Sequence, residues 1–165
     1  MFLSVIICTR NRCEKLHLVL NSFRTINIPD GLQWEVLIVD NGSTDETAKI
    51  CKSFLSKNTQ KYRYVYEGKK GKSNALNRGI REAKGDILAF TDDDCIVDSS
   101  WFKAIMDEYN SDPELKLLGG RVELYNKFDK PVSLVTSRDR IDLQVSQSQI
   151  YDVPIIGANI SFKKE

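Results

Sequence analysis

The stretch DILAFTDDDC, Asp86 to Cys95, runs an apolar strand into three consecutive carboxylates. Charges of one sign held that close repel, so the cluster is costly unless it is fully solvated or shared with a cation. In the plain reading, Asp98 and the Ser99/Ser100 pair cap the next helix and the triplet is merely solvated. In the chemical reading, strand alternation puts Asp92 and Asp94 on one side and Asp93 on the other, and the outer pair forms a D-x-D unit. A hard ion such as Mg²⁺ or Mn²⁺, held by one or two carboxylates, completes its shell with water and phosphate oxygens. Three acids at the carboxyl end of a strand favour this second reading, because local sequence rules are broken mostly at functional sites.

Two other stretches could do chemistry. Asp40 ends VLIVD and opens DNGSTDET, where many nucleotide-binding α/β folds set an acid against a ribose or base. An ordinary turn acid is the alternative. A dinucleotide site needs GxGxxG after the first strand, and TRNRCEK stands there instead, which argues against nicotinamide and flavin dinucleotides. EGKKGKSNAL imitates the end of a P-loop, but only two residues separate Gly68 from Gly71 and position 66 is Tyr, so a phosphate could not be wrapped in the usual way. His17 lacks a partner acid or nucleophile and reads as a surface histidine, Trp101 reads as a core or staple residue, and no nucleophile elbow is present.

The elements that must carry these residues follow from periodicity. Leu3 to Cys8 is a continuous apolar run, as in a parallel strand buried on both faces. Leu16, Val19, Leu20 and Phe23 then recur at helical spacing. Trp34 to Val39 repeats the strand pattern, and Ser43 with Glu46 is spaced as a capping box before the stripe Ala48, Cys51, Phe54 and Leu55. Tyr62 to Tyr66 predicts a third strand, GKKGKS opens a helix with a stripe at Leu76, Ile80 and Ala83, and Ile87 to Phe90 feeds the aspartates. Trp101 to Tyr109 predicts a helix that buries Phe102, Ile105, Met106 and Tyr109. Lys116 to Leu124 and Val153 to Phe162 are strand candidates, with a weakly patterned region between them. Strands alternating with helices imply an α/β fold with a mostly parallel central sheet, flanked by helices, and ligands at the carboxyl ends of its strands.

The 165 residues suit one domain, and 41% hydrophobic and 28% charged residues with a net charge of +1 lack the basic excess of a nucleic-acid binder. The four cysteines, Cys8, Cys13, Cys51 and Cys95, are not spaced as a zinc site, redox motif or disulfide scaffold, which favours a reducing, cytoplasmic setting. No stretch approaches the roughly 20 apolar residues that cross a bilayer. Peripheral association with the inner face of a membrane stays open.

Taken in order, SVIICTRNR, VLIVDNGSTDET, GKSNALNRGIREAKGDILAFTDDDC and GANISFKK closely resemble the family 2 glycosyltransferases, over nearly the whole chain. The resemblance implies a Rossmann-like GT-A fold and a metal-dependent, inverting transfer of a sugar, of the hexosyltransferase class, from a UDP-sugar to a saccharide or lipid-linked acceptor, as in cell-envelope polysaccharide synthesis. It places Thr9, Arg12, Asp40, Lys72, Asp92 and Asp93 at the nucleotide sugar. The metal, Mn²⁺ or Mg²⁺, falls to Asp94 with help from Asp92. Gly157 and Asn159 become the wall beside donor sugar and acceptor, or an ordinary inner strand. Many relatives carry a further Asp where Cys95 stands.

On that resemblance, residues 1–100 form the nucleotide-binding part and 101–165 a partial acceptor side of one domain. The general base is expected beyond Glu165; Asp139, Asp142 and Asp152 are the acids of the weakly read region that could substitute. Two other functions remain in view: a nucleotide-sugar-binding domain without transferase activity, and a P-loop-like NTPase.

Overall fold

The structure, a computed structural model, describes residues 1–56, 61–126, 128, 134–137 and 156–164. The first strand and helix are β1 (Phe2–Thr9) and α1 (Cys13–Ser22), followed by β2 (Gln33–Asp40), α2 (Thr47–Ser56), β3 (Tyr62–Tyr66), α3 (Lys72–Glu82) and β4 (Ile87–Asp92). Then come α4 (Trp101–Ser111), β5 (Leu117–Gly119) and β6 (Ile160–Lys163). Among the described residues these strands form one six-stranded sheet in the order β3-β2-β1-β4-β6-β5. The first four are mutually parallel, whereas β6 runs antiparallel to both β4 and β5. The chain leaves β1 toward β2 on one side and returns to β4 on the other, so the topological switch lies between β1 and β4. That is where an open α/β sheet has a crevice for a ligand.

Both faces of the parallel part are covered, which is why β1, β2 and β4 are continuous apolar runs. Leu3, Val5 and Ile7 point into one core with Val36, Ile38, Ile87 and Ala89, beneath Leu16, Val19 and Leu20 of α1 and Phe102, Ile105 and Met106 of α4. Ile6, Leu37, Val39, Leu88 and Phe90 point the other way, onto Ala75 and Ala83. Removing one such Leu or Ile from water contributes about 2 kcal/mol.

Of the stripe expected on α3, Ala83 is buried, but Leu76 and Ile80 give way to the residues before them. Ala75 and Gly79 are the residues pressed to the sheet, because a Cβ on Gly79 would stand 2.6 Å from Ile6 Cγ2. Small residues bring the helix close, and Leu76 and Ile80 are left half-buried along its flank.

Two other expectations are corrected. The segment Lys116 to Leu124 yields only the three-residue β5, and Val122 beyond it makes an isolated bridge to Val135. The strand stops at Gly120, whose N–H donates to Asn159 O and whose missing side chain leaves room for the Asn159 amide. Of Val153 to Phe162, residues 153–155 lie outside the described residues, and 156–159 form a turn closed by Asn159 N–H to Ile156 O. No described helix is long and apolar enough to cross a membrane.

The amino-terminal edge of the sheet is tied by a buried polar network. Glu35, 4% exposed, accepts hydrogen bonds from Ser4 Oγ and Lys84 N–H at 2.8 Å and from Arg63 at 2.9 Å. Arg63 also reaches the Glu82 carbonyl and carboxylate. Burial pushes the Glu35 carboxyl up, but the bonds from Lys84, Arg63 and Ser4 outweigh it and hold the group below its usual range.

Candidate functional site at the switch point

Strand β4 ends at Asp92, and Cys95 N–H turns back to the Asp92 carbonyl at 3.2 Å. The alternation expected through Asp94 is therefore replaced by a turn. Its outcome is similar: Asp93 is driven inward while the Asp92 and Asp94 side chains keep 32% and 37% exposure. The three acids meet cations from two other segments, the starts of α3 and α1. Lys72 Nζ lies 2.8 Å from Asp92. Arg12 donates to Asp94 at 2.8 Å and approaches Asp93 at 3.9 Å, with Lys15 at 3.7 Å from Asp94.

Burial pushes the Asp93 carboxyl above the usual range, opposed by the adjacent Thr9 hydroxyl and Arg12. The hydrogen bond from Lys72 to Asp92 holds the ammonium of Lys72 above its ordinary value, so it stays charged. Thr9 Oγ1 is fully buried at the end of β1, beside the Asp93 carboxylate.

The loop after β2 acts as a splint, a role the sequence analysis missed. Ser43 Oγ accepts Asn11 N–H at 3.0 Å, Asn11 Oδ1 accepts Thr44 N–H at 2.7 Å, Thr47 Oγ1 accepts Arg12 N–H at 3.3 Å, and Asp45 accepts Cys13 N–H at 3.3 Å. Asn11 adopts φ +52°, a left-handed conformation that Asn tolerates better than most residues. The expected capping box does not form, because Ser43 is engaged by Asn11 and it is Asp45 that accepts Thr47 N–H, at 3.0 Å, where α2 begins. The signal was present in the density of Asn, Ser, Thr and Asp across DNGSTDET, residue types that bond to backbone.

Asp40 takes the turn role. It is 1% exposed, and its two oxygens accept Ser43 N–H at 2.8 Å and Tyr64 Oη at 2.7 Å. The acid expected to meet a base is thus buried beneath the loop, with one hydrogen bond accepted at each oxygen. Asn159 is likewise committed to packing, accepting Trp101 Nε1 at 2.9 Å and donating to Arg121 O at 3.0 Å. Gly157, by contrast, borders the site. With Lys72, Asp92 and Cys8 it lines a cavity of about 200 Å³ whose remaining wall, Thr91 apart, is apolar: Leu76, Ile80, Phe90, Ile160 and Phe162. Burial pushes the Cys8 thiol up to about 12, so it is a neutral neighbour. Asp139, Asp142 and Asp152 lie outside the described residues.

Asp92 and Asp94 supply hard oxygen donors, partly open to solvent. Among the described residues no three His, Cys, Asp or Glu side chains converge as a cage. Cys95 adds no hard ligand, and burial pushes its thiol up to about 11. The donor set therefore fits a Mg²⁺ or Mn²⁺ ion that takes one or two carboxylates and completes its shell from a bound phosphate and water.

The chain is similar to known proteins in both sequence and fold. The chain is 34% identical over 122 residues to glycosyltransferase AglE of Haloferax volcanii, covering 74% of this chain and 40% of AglE. It is 28% identical over 173 residues to the poly(ribitol-phosphate) β-N-acetylglucosaminyltransferase TarS of Staphylococcus aureus, covering all of this chain and 30% of TarS. The chain thus spans less than half the length of these relatives. The fold matches crystal structures of S. aureus TarS 1-349 in complex with UDP (TM-score 0.76, 22% identity, 97% of this chain and 46% of that one). It also matches the mannosyltransferase PcManGT of Pyrobaculum calidifontis in complex with GDP-Man and Mn²⁺ (TM-score 0.71, 21% identity, 98% and 44%). Residues 4–147 match the family described as glycosyl transferase family 2. With its GT-A sheet and its acids and cations gathered at one switch point, the chain belongs to glycosyl transferase family 2.

Proposed function

We propose that this chain binds a nucleotide sugar, a UDP-sugar, together with Mn²⁺ or Mg²⁺, and serves an inverting transfer of the sugar to a hydroxyl of a saccharide or lipid-linked acceptor. The observation that supports it best is the pairing of Asp92 and Asp94 with Lys72 and Arg12 across the β1/β4 crevice. Three cations, Arg12, Lys15 and Lys72, face three carboxylates there, so the cluster is balanced as it stands. A diphosphate adds negative charge to that balance, and a divalent cation cancels it.

In this reading Lys72 and Arg12 exchange their carboxylates for phosphate oxygens, which accept charge-assisted bonds of the same kind. Asp94, with Asp92, would hold the metal, whose positive charge would stabilise the departing diphosphate. Thr9, buried at the end of β1 beside Asp93, underlies the nucleotide, and Asp93, held inward beside Arg12, fixes that guanidinium. Asp40 acts from below by shaping the β2 loop. Gly157 leaves space beside the donor sugar. The acceptor hydroxyl loses its proton to a carboxylate base as the new bond forms. The described acids of the crevice are all paired with cations, so none of them is given that role.

The test is a calorimetric titration with UDP, with and without Mn²⁺. Mn²⁺ is expected to tighten UDP binding at least about tenfold, the scale of one charge-assisted bond, and Asp94→Asn to erase the gain. Equal affinity in the two conditions would remove the metal from the site. Tighter binding of GDP than of UDP would overturn the choice of base.

A further inference from the structure

The amide of Asn41 makes three hydrogen bonds within the fold. Its Nδ2 donates to Glu67 O at 3.2 Å and to Lys69 O at 2.8 Å, and its Oδ1 accepts Gly71 N–H at 2.7 Å. The residue is 4% exposed, and its own N–H donates to Thr9 O at 2.9 Å. This side chain thus ties residues 67–71 to the end of β2, beside the end of β1, joined there by Glu67 N–H to Asp40 O at 2.9 Å. The loop it fastens ends in Gly71, at φ +126°, whose carbonyl accepts the N–H groups of Asn74 and Ala75 at 3.0 and 3.2 Å. The next residue is Lys72, the first of α3, and Lys72 Nζ holds Asp92.

We propose that Asn41 is a positioning residue for the donor site: its carboxamide sets the register of residues 67–71 and thereby aims Lys72 across the crevice at Asp92 and the incoming diphosphate. The second half of this rests on the nucleotide-sugar reading above; the first half does not. The chemistry requires an amide. Two carbonyl oxygens converge on one end of the side chain and one N–H on the other, so only a group with two donors and an acceptor satisfies all three. Aspartate has the same shape but would set a carboxylate oxygen against Glu67 O and Lys69 O. Lysine 72 needs this help because its stem is flexible and α3 begins without any side-chain cap. Nothing else described bonds the carbonyls of Glu67 and Lys69.

The experiment compares Asn41→Asp and Asn41→Ala with the unmodified protein in two measurements. In amide hydrogen exchange, Asn41→Asp is expected to speed exchange at Gly71, Asn74 and Ala75 on the order of tenfold or more, with the β1 amides unchanged. Unchanged exchange at those three positions in both variants overturns the clamp. In titration with UDP and Mn²⁺, Asn41→Asp is expected to weaken binding about tenfold and to add little in a Lys72→Ala background, since both changes remove the same contact. A full additive loss in that background overturns the action through Lys72. If the unmodified protein binds no UDP, the donor-site reading fails, and the aim at diphosphate fails with it. The exchange result then still decides the clamp. Asn41→Ala is the second variant should Asn41→Asp not fold, since it removes the bonds without introducing a charge.

Discussion

The two ends of the sheet treat charge in opposite ways. At the amino-terminal edge, Glu35, Arg63, Glu82 and Ser4 close into a network in which the central carboxylate has three donors and little water. At the carboxyl end, Asp92 and Asp94 stay partly exposed and each leans on long, solvated cations. A buried pair is expensive to break because the surviving charge is left unpaired, whereas an exposed pair contributes about 0–1 kcal/mol. The first arrangement spends its charges on holding strands together. The second keeps them exchangeable, as a site must if a ligand is to displace them.

The sharpest way to break this contrast is Glu35→Ala, which leaves the Ser4 O–H and Lys84 N–H without their acceptor and Arg63 with Glu82 alone. A loss of about 3 kcal/mol is expected in urea unfolding, with UDP affinity unchanged at saturating Mn²⁺. The same residue sets a pH dependence. Its carboxyl is held below the ordinary value of 4.5 in the folded state. The unfolded chain therefore takes up that proton first as pH falls. Glu35's contribution is complete above about pH 4.5 and is lost as pH drops through the folded value. Glu35→Gln should flatten that acid limb of the stability curve; an unaltered limb would deny Glu35 its part in it.

A smaller loss, about 2 kcal/mol, is expected for Gly85→Ala at the same edge, because a Cβ there would stand 2.6 Å from Phe2 O and Ser4 N. Thermal unfolding measures it, and an undisturbed midpoint would mean the edge is looser than described. Smallest in stability is Lys72→Ala at the opposite end, about 0.5 kcal/mol or less. That variant should nevertheless weaken UDP binding in the presence of Mn²⁺. A Lys72→Ala protein as destabilised as Glu35→Ala would erase the distinction between the ends.

The parallel half of the fold was legible because burial on both faces leaves continuous apolar runs, as at Val36 to Val39, and single-face burial leaves helical stripes, as at Leu16, Val19 and Leu20. The acid cluster was legible because three adjacent aspartates have few structural uses. What escaped notice depends on pairings between segments far apart in the chain. The Asn11 to Thr44 bond and the Asn41 clamp join loops about 30 residues apart and have no periodicity to betray them. Asp40 was read correctly as a strand-ending acid, but its burial depends on Tyr64, whose hydroxyl no local pattern assigns to it. The β5/β6 edge was overextended because its pairing is set by Gly120 and Asn159, residues with weak strand preference. Ala75 and Gly79 on α3 were passed over in favour of Leu76 and Ile80, although close approach needs the small residues.

The stitching of the first loop to the second has a consequence for how a ligand would be received. With Asn11, Arg12 and Cys13 each tied through backbone N–H to Ser43, Thr47 and Asp45, the main chain at this wall of the crevice is held in place before anything arrives. Freedom survives in the aliphatic stems of Arg12, Lys15 and Lys72, each carrying about 2 kcal/mol of rotamer entropy at most. The entropic toll of capture would then fall on a few side-chain torsions rather than on loop ordering. Capture should accordingly be quick, with the backbone of the free and bound forms superposing within about 1 Å.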